Sequence, residues 1–204
     1  MKGRLTMKAL ASAAVAAAIM GGAAAATAQC APAPVAGCVR PTVALGSKLR
    51  FKQSPSHPTI QWGWARGPQV PLAQLGAPET GADSYTLCIY DTGALVSTLD
   101  IPGGADWSRR PGPSGQDLLR YKPSKPYAPH GVKKLNLHNK AGGAAKFTFQ
   151  ASDSLLPMPP MPVTTPEDVV LQLTNSAGGC WEANFTAAHP ISVNTAQNFK
   201  AKGD

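Results

Sequence analysis

The chain has 204 residues, of which 43% are hydrophobic and 15% are charged. This composition is typical of a folded globular protein and excludes a disordered one. The 20 Gly and 20 Pro favour many turns and short strands over long helices. After residue 28 no apolar segment is long enough for a helical membrane span.

The N-terminus has the pattern of a secretory leader. Lys2, Arg4 and Lys8 precede an alanine-rich apolar run at 9–26, and the small residues that follow fit the positions that a signal peptidase reads. We expect cleavage after Ala28 and a secreted or periplasmic mature chain. The mature chain would have 16 Lys and Arg and 11 acidic residues, so the formal net charge falls from +8 to +5.

The four cysteines of the chain are Cys30, Cys38, Cys88 and Cys180. An exported chain meets an oxidising compartment, so we expect two disulfides, for which three pairings are possible. A zinc site is the alternative, but the closely spaced Cys or His pairs of such sites are missing. We expect Cys30 to pair with Cys38 across a short proline-rich loop, and Cys88 to pair with Cys180, since these two lie on candidate strands.

Most of the mature chain shows strand patterns. An arm at 29–45 is rich in Pro, Ala and Val and predicts extended backbone. Beyond the arm, apolar residues alternate with polar ones, which is the period of a β-strand. The alternation predicts about nine or ten short strands, at 48–52, 60–64, 85–90, 94–101, 118–122, 132–138, 144–151, 169–174, 180–185 and 199–202.

Turn residues divide these strands and suggest the fold. Glycines at 91–93, 142–143 and 176–179 predict three hairpins. Pro and Gly predict a loop at 102–116, and five prolines make 155–166 a rigid connector. We expect 199–202 to be an edge strand. Short, regularly spaced strands predict an antiparallel β-sandwich in one domain at 46–204, with a closed barrel as the alternative.

Bulky side chains recur at every second position of two candidate strands. Trp62 and Trp64 follow Ile60 with this spacing, and Phe147 and Phe149 repeat it. Alternate residues share one face of a strand. Because the residues between the indoles are small or polar, we expect both indoles in the core rather than on a platform that stacks on ligands.

One stretch of the chain, 109–134, is rich in cations. Asp117 is its only acidic residue, and its basic residues are Arg109, Arg110, Arg120, Lys122, Lys125, Lys133 and Lys134. Such a stretch could hold an acidic polysaccharide, a phosphate-rich lipid head group or nucleic acid. The alternative is a solvated loop with edge strands whose charges prevent sheet-to-sheet aggregation.

The sequence contains no established catalytic pattern. Its four histidines form no spaced pair, a Gly-x-Ser-x-Gly elbow is missing, and the acidic residues lack the spacing of a calcium loop. We therefore expect no cofactor, metal or catalytic residue. A hydrolase site of unrecognised type, around His138 or Glu182, is the remaining enzyme alternative.

Short motifs follow one another along the chain, among them WxWxxG at 62–67, YxLCxYD at 85–91 and GCWEA at 179–183. In this order they resemble uncharacterised secreted all-β proteins of bacteria. The resemblance implies export and a β-rich fold, and it carries no assigned activity. In similar chains the cysteines at the positions of Cys88 and Cys180 recur together, which agrees with pairing these two.

These patterns together predict an exported, non-catalytic β-sandwich that acts as a binding or cell-envelope module. Two kinds of partner fit these patterns, an envelope component and an acidic polymer. For the polymer, a polysaccharide or a nucleic acid, the candidate binding residues are Arg109, Arg110, Arg120, Lys122 and Lys125.

Overall fold

A computed structural model describes residues 29–204 as two antiparallel β-sheets packed face to face. The predicted all-β sandwich is confirmed, and within these residues neither sheet closes into a barrel. The predicted leader, residues 1–28, lies outside the described residues. Helix in the described part is limited to α1 (Leu72–Leu75) and two 3-10 turns, Pro78–Thr80 and Pro113–Gly115.

The larger sheet has eight strands and the smaller sheet has four. In spatial order the larger sheet contains β11 (Ile191–Asn194), β12 (Asn198–Gly203), β1 (Ser47–Lys52), β2 (Thr59–Gly67), β8 (Ala145–Ser152), β7 (Val132–His138), β6 (Leu118–Tyr121) and β5 (Trp107–Arg110). The smaller sheet contains β10 (Cys180–Thr186), β9 (Asp168–Asn175), β3 (Tyr85–Asp91) and β4 (Ala94–Ile101).

Aromatic side chains fill the space between the sheets. Trp62 is 2% exposed and Trp64 is fully buried, and the ring of Phe147 stacks on Trp64 with centroids 4.7 Å apart. The indole N–H of Trp64 donates to the carbonyl of Glu182 in the smaller sheet at 2.9 Å, while that of Trp62 donates to the Ser47 hydroxyl at 2.8 Å. The predicted burial of both indoles is confirmed, and their polar atoms have partners in the core.

Two of the twelve strands lie outside the segments that alternation predicts. Strand β5 falls within the predicted loop 102–116 and pairs with β6. Strand β11 pairs with β12, which places β12 between β11 and β1. The prediction of an edge strand at 199–202 is therefore wrong. Both strands are short and adjoin a proline, since β5 ends directly before Pro111 and β11 begins directly after Pro190, and a proline signals a turn or loop in the sequence.

A register shift in β7 changes which of its side chains are buried. Strict alternation places Val132 on the same face as Lys134. The pairing of β7 with β8 shifts between these two residues, and Val132 joins Leu135 and Leu137 in the core. A bulge adds one residue to one strand of a pair, so it reverses the facing of the residues before it.

The N-terminal arm lies across the outer face of the smaller sheet. The backbone N–H of Val39 donates to the Cys180 carbonyl at 2.9 Å, and the N–H of Glu182 donates to the Val39 carbonyl at 2.8 Å. The Gln172 side chain accepts from the N–H of Val35 at 3.1 Å and donates to its carbonyl at 2.7 Å. Because the arm covers one face and the core covers the other, all seven residues of β3 are buried.

The disulfides join Cys30 to Cys88 and Cys38 to Cys180, so the predicted pairing of Cys30 with Cys38 and of Cys88 with Cys180 is wrong. Strand β9 lies between Cys88 on β3 and Cys180 on β10. Two strand spacings are about 9–10 Å, whereas the Cα atoms of a disulfide lie within about 7 Å. The extended arm carries Cys30 and Cys38 to different strands, and each disulfide ties the arm to one of them.

Two glycines of β2 are expected to respond oppositely to the same substitution. A Cβ at Gly67 would lie 1.7 Å from Cη2 of Trp64, whereas a Cβ at Gly63 would meet nothing within 4 Å. We expect Gly67→Ala to lower the free energy of unfolding by about 1–3 kcal/mol through overpacking. Gly63→Ala should leave it unchanged or raise it by about 0.5–1 kcal/mol. Urea unfolding measures both, and equal losses would contradict this account of Gly67.

Removal of either disulfide should loosen the arm. The Cys38–Cys180 and Cys30–Cys88 disulfides join residues 142 and 58 positions apart, for which the chain-entropy model gives about 5 and about 4 kcal/mol of stabilisation. We expect C38A/C180A to be the less stable double variant in denaturant unfolding. It should also speed hydrogen exchange at the amides of Val39 and Glu182, and unchanged exchange there would refute the role given to this disulfide.

Candidate functional site

Charged side chains are separated by sheet. The strands of the larger sheet contain twelve Lys and Arg and no Asp or Glu, whereas those of the smaller sheet contain four acidic residues and no Lys or Arg. The twelve cations are Lys48, Arg50, Lys52, Arg66, Arg109, Arg110, Arg120, Lys133, Lys134, Lys146, Lys200 and Lys202. The four acidic residues are Asp91, Asp100, Asp168 and Glu182.

Alternation places most of these cations on the outer face of the larger sheet. Lys200, for example, lies between Phe199 and Ala201, both of which are buried in the core, so its side chain points away from the core. We call the outer face of this sheet the basic face. Its cations are Lys48, Arg50, Lys52, Arg110, Arg120, Lys134, Lys146, Lys200 and Lys202. Within residues 29–204 none of the nine forms an ion pair with a carboxylate.

Like charges lie directly opposite each other on two neighbouring strands of the basic face. Lys48 on β1 is paired in register with Lys202 on β12, and Arg50 is paired with Lys200. Like charges in this position destabilise a sheet. The Nε of Arg50 is buried and has no hydrogen-bond partner in the described residues. Among residues 29–204 this block of four cations therefore has no carboxylate as a counter-charge, and the buried Nε of Arg50 has no acceptor.

Two adjoining hollows lie beside this block on the basic face. Their volumes are about 410 and 570 Å³, and both are lined by Lys48, Gly63, Thr148 and Lys202. Gly63 is paired in register with Lys48 on one side and with Thr148 on the other. Since no atom lies within 4 Å of where its side chain would begin, Gly63 leaves open space at the junction of the two hollows.

His138 reports the electrostatic potential of the basic face. It is paired in register with Lys146, and its side chain lies on the outer side of β7. Partial burial lowers the pKa of His138, and Lys140, Lys146 and Lys134 lower it further. The imidazole therefore stands in a positive potential, because nearby cations disfavour its protonated form.

The predicted cationic stretch at 109–134 does not form a single patch. Arg110 and Arg120 belong to the basic face, whereas Lys122 and Lys125 follow the end of β6 and are exposed. The Arg109 side chain points inward, and its guanidinium donates to Glu79 Oε1 at 2.5 Å and to Asp117 Oδ2 at 3.1 Å. Lys133 lies over the ring of Tyr127, 5.2 Å from its centroid. Arg109 is thus held in a structural ion pair.

The basic face includes seven cations that were not among the candidate binding residues predicted from the sequence, namely Lys48, Arg50, Lys52, Lys134, Lys146, Lys200 and Lys202. The alternation at 48–52 and at 199–202 shows on which side of its own strand each cation lies. It does not show that β1 and β12 are neighbours, which is what brings the four cations of the block together.

The residues considered for catalysis are placed apart. His138 is on the outer face of the larger sheet, whereas Glu182 lies under the arm, where it accepts from Arg40 Nε at 2.7 Å and from Gln172 Nε2 at 2.5 Å. All four cysteines are in disulfides, which removes them as zinc ligands. In the described part of the chain no group of three His, Cys, Asp or Glu residues could hold a metal ion.

A third hollow, of about 580 Å³, lies beside Cys30, and Asp83 and Asp100 are among the residues that line it. Both carboxyls already have partners in the protein. Asp83 accepts from the backbone N–H of Ala77 at 2.7 Å, and Asp100 accepts from the Thr86 hydroxyl at 3.1 Å. In the part of the chain that the structure describes, the cations of the basic face form no ion pair with a carboxylate, so we take the basic face as the candidate site.

No family model, curated protein or solved structure matches the chain. Across residues 29–204 no helix is both long enough and apolar enough to cross a membrane. Two disulfides in such a β-fold are compatible with an extracellular or periplasmic protein. The site is therefore interpreted from its own geometry and charge.

The lysines around His138 predict how its pKa responds to substitution. Lys146→Gln should raise the pKa of His138 towards its ordinary value of 6.5, and added salt should act in the same direction by screening the lysines. NMR titration of the imidazole measures this pKa, with Lys125→Gln as the control because Lys125 is not among the residues that lower it. An unchanged pKa in Lys146→Gln would contradict the positive potential.

The same shift affects stability. A folded-state pKa below 6.5 means that the unfolded chain binds the proton more readily. The contribution of His138 to the free energy of unfolding is therefore fully present above pH 6.5. It is lost as the pH falls through the folded-state pKa.

Proposed function

We propose that this chain is an exported, non-catalytic β-sandwich that binds an anionic polymer on its basic face. The observation that carries the proposal is the separation of charge. Nine cations share one face of the larger sheet, and no carboxylate of that sheet compensates them. Such a surface attracts a polyanion over a distance and holds it through many weak contacts.

The cost to the fold supports the same proposal. The cross-strand pairs Lys48 with Lys202 and Arg50 with Lys200 oppose sheet formation. A bound polyanion would supply the missing counter-charges to all four side chains at once. The repulsion is then a property of the free protein that ligand binding relieves.

Export is proposed from the leader pattern at 1–28 together with the two disulfides. Disulfides persist in oxidising compartments and are rare in reducing ones. In the periplasm or outside the cell, the chain would act as a binding or cell-envelope module for polymers that carry carboxylate, sulfate or phosphate groups. The resemblance to secreted bacterial proteins agrees with this location.

The proposal predicts that K48Q/K202Q loses affinity for a polyanion. The mature protein should bind dextran sulfate at low salt, with an affinity that falls steeply as salt rises. Since a cation near an anionic surface contributes about 1 kcal/mol, removal of these two should weaken binding roughly 10- to 30-fold. Calorimetry at several salt concentrations measures both the affinity and its salt dependence.

K125Q/K133Q is the matched control, because it removes the same charge from positions outside the basic face. It should retain most of the affinity. K48Q/K202Q should also unfold at the same or a higher temperature than the wild type, since it relieves a like-charge pair. Equal losses of affinity in the two double variants would mean that net charge alone is responsible, and no binding by the wild type would end the proposal.

A further inference from the structure

We propose that the hollows over Gly63 hold a sugar ring, and hence that the ligand is an acidic polysaccharide. This inference rests on the proposed function and narrows the class of its ligand. The anionic groups would be carboxylates or sulfates on the rings, and they would meet the cations beside the hollows.

Neither its backbone nor its packing explains the glycine at position 63. It is not among the residues with positive φ, and a Cβ there would meet no neighbour within 4 Å. A glycine in the interior of a strand costs about 0.5–1 kcal/mol relative to alanine. Such a glycine often marks a place where a ligand approaches the backbone closely. Gly63 leaves this opening in the middle of β2, between Lys48 and Thr148.

The surroundings of Gly63 combine charge with neutral hydrogen-bonding groups. Lys48 and Lys202 line both hollows, and Lys146 lines the larger one. Gln61 and Gln150, which are paired with each other, line the smaller hollow. Ammonium groups suit carboxylates and sulfates, whereas amides both donate to and accept from the hydroxyls of a sugar. The volume of each hollow, about 410 and 570 Å³, also lies in the usual range for small-ligand sites, about 300–1,000 Å³.

The positions of the aromatic residues argue against single-stranded nucleic acid as the ligand of the basic face. Proteins that bind single strands stack the bases on aromatic side chains. In the strands of the larger sheet every aromatic side chain is buried, which leaves no stacking surface on the basic face. These residues are Phe51, Trp62, Trp64, Trp107, Tyr121, Phe147, Phe149 and Phe199.

The basic face continues beyond the hollows. Lys134 follows Gln150 in register on the next strand, and Arg120 follows Asn136, the partner of Thr148. Cations therefore recur across the strands, which lie about 4.8 Å apart. A polymer with an anionic group on successive rings would meet these cations on one side of the hollows and the block of four on the other.

The test is Gly63→Thr, which fills the opening without changing the charge. A β-branched residue suits a strand, so the variant should fold. Its matched control is Ser108→Thr, on the same face at the edge strand β5 and outside both hollows. The probes are polygalacturonate oligomers, sulfated dextran, linear polyphosphate and oligodeoxythymidine, matched in charge, with the dissociation constants measured by calorimetry.

We expect the wild type to bind at least one of the two saccharide polymers about tenfold more tightly than polyphosphate. Gly63→Thr should weaken binding to that saccharide by about tenfold, which is 1.4 kcal/mol. It should leave polyphosphate binding within about twofold, since the charge is unchanged. Ser108→Thr should behave as the wild type. The preferred saccharide then identifies carboxylate or sulfate as the anionic group.

The outcomes separate this inference from the function on which it rests. If no polyanion binds the wild type, both fail. If all four probes bind equally and Gly63→Thr has no effect, the anionic-polymer function stands and the sugar site is refuted. Tighter binding of oligodeoxythymidine than of either saccharide would also refute it and would identify nucleic acid as the ligand.

Discussion

The burial of aromatic side chains at every second position is the constraint on which the rest of the structure depends. Trp62 and Trp64 on β2 and Phe147 and Phe149 on β8 fill the space between the sheets. A shift of one residue would turn them towards solvent, so their burial fixes the register of the larger sheet. The same burial leaves the intervening positions free of packing. The basic face and the opening at Gly63 occupy those positions.

The surface of the larger sheet departs from what stability alone would favour. A surface that mixes both signs of charge avoids repulsion between neighbours, yet the acidic strand residues all lie in the smaller sheet. Lys48 opposite Lys202 and the open space at Gly63 each weaken the sheet in a different way. A ligand that carries negative charge and fills the opening would explain both features. The like-charge pair and the opening at Gly63 are unrelated features, and both favour an anionic ligand.

The sequence was sufficient for the fold class but not for the arrangement of the strands. Alternation in strands of six or more residues, such as β1 and β8, could be recognised because it reflects burial on one side. The short strands β5 and β11 adjoin prolines, and it is their pairing with β6 and β12 that identifies them as strands. Cys88 and Cys180 looked like a pair because both lie on strands, but the order of the strands places β9 between them. The sequence does not predict the block of four cations for the same reason, since no local pattern shows that β1 lies beside β12.

The arm determines from which side the chain enters the sandwich. The Cys30–Cys88 disulfide holds residue 30 on the outer face of the smaller sheet, and the basic face is on the opposite side of the molecule. An affinity tag placed directly before residue 29 would therefore emerge away from the basic face. Protein immobilised through such a tag would present its cations to the solution in a uniform orientation, which suits the chain to surface-based binding measurements without further engineering.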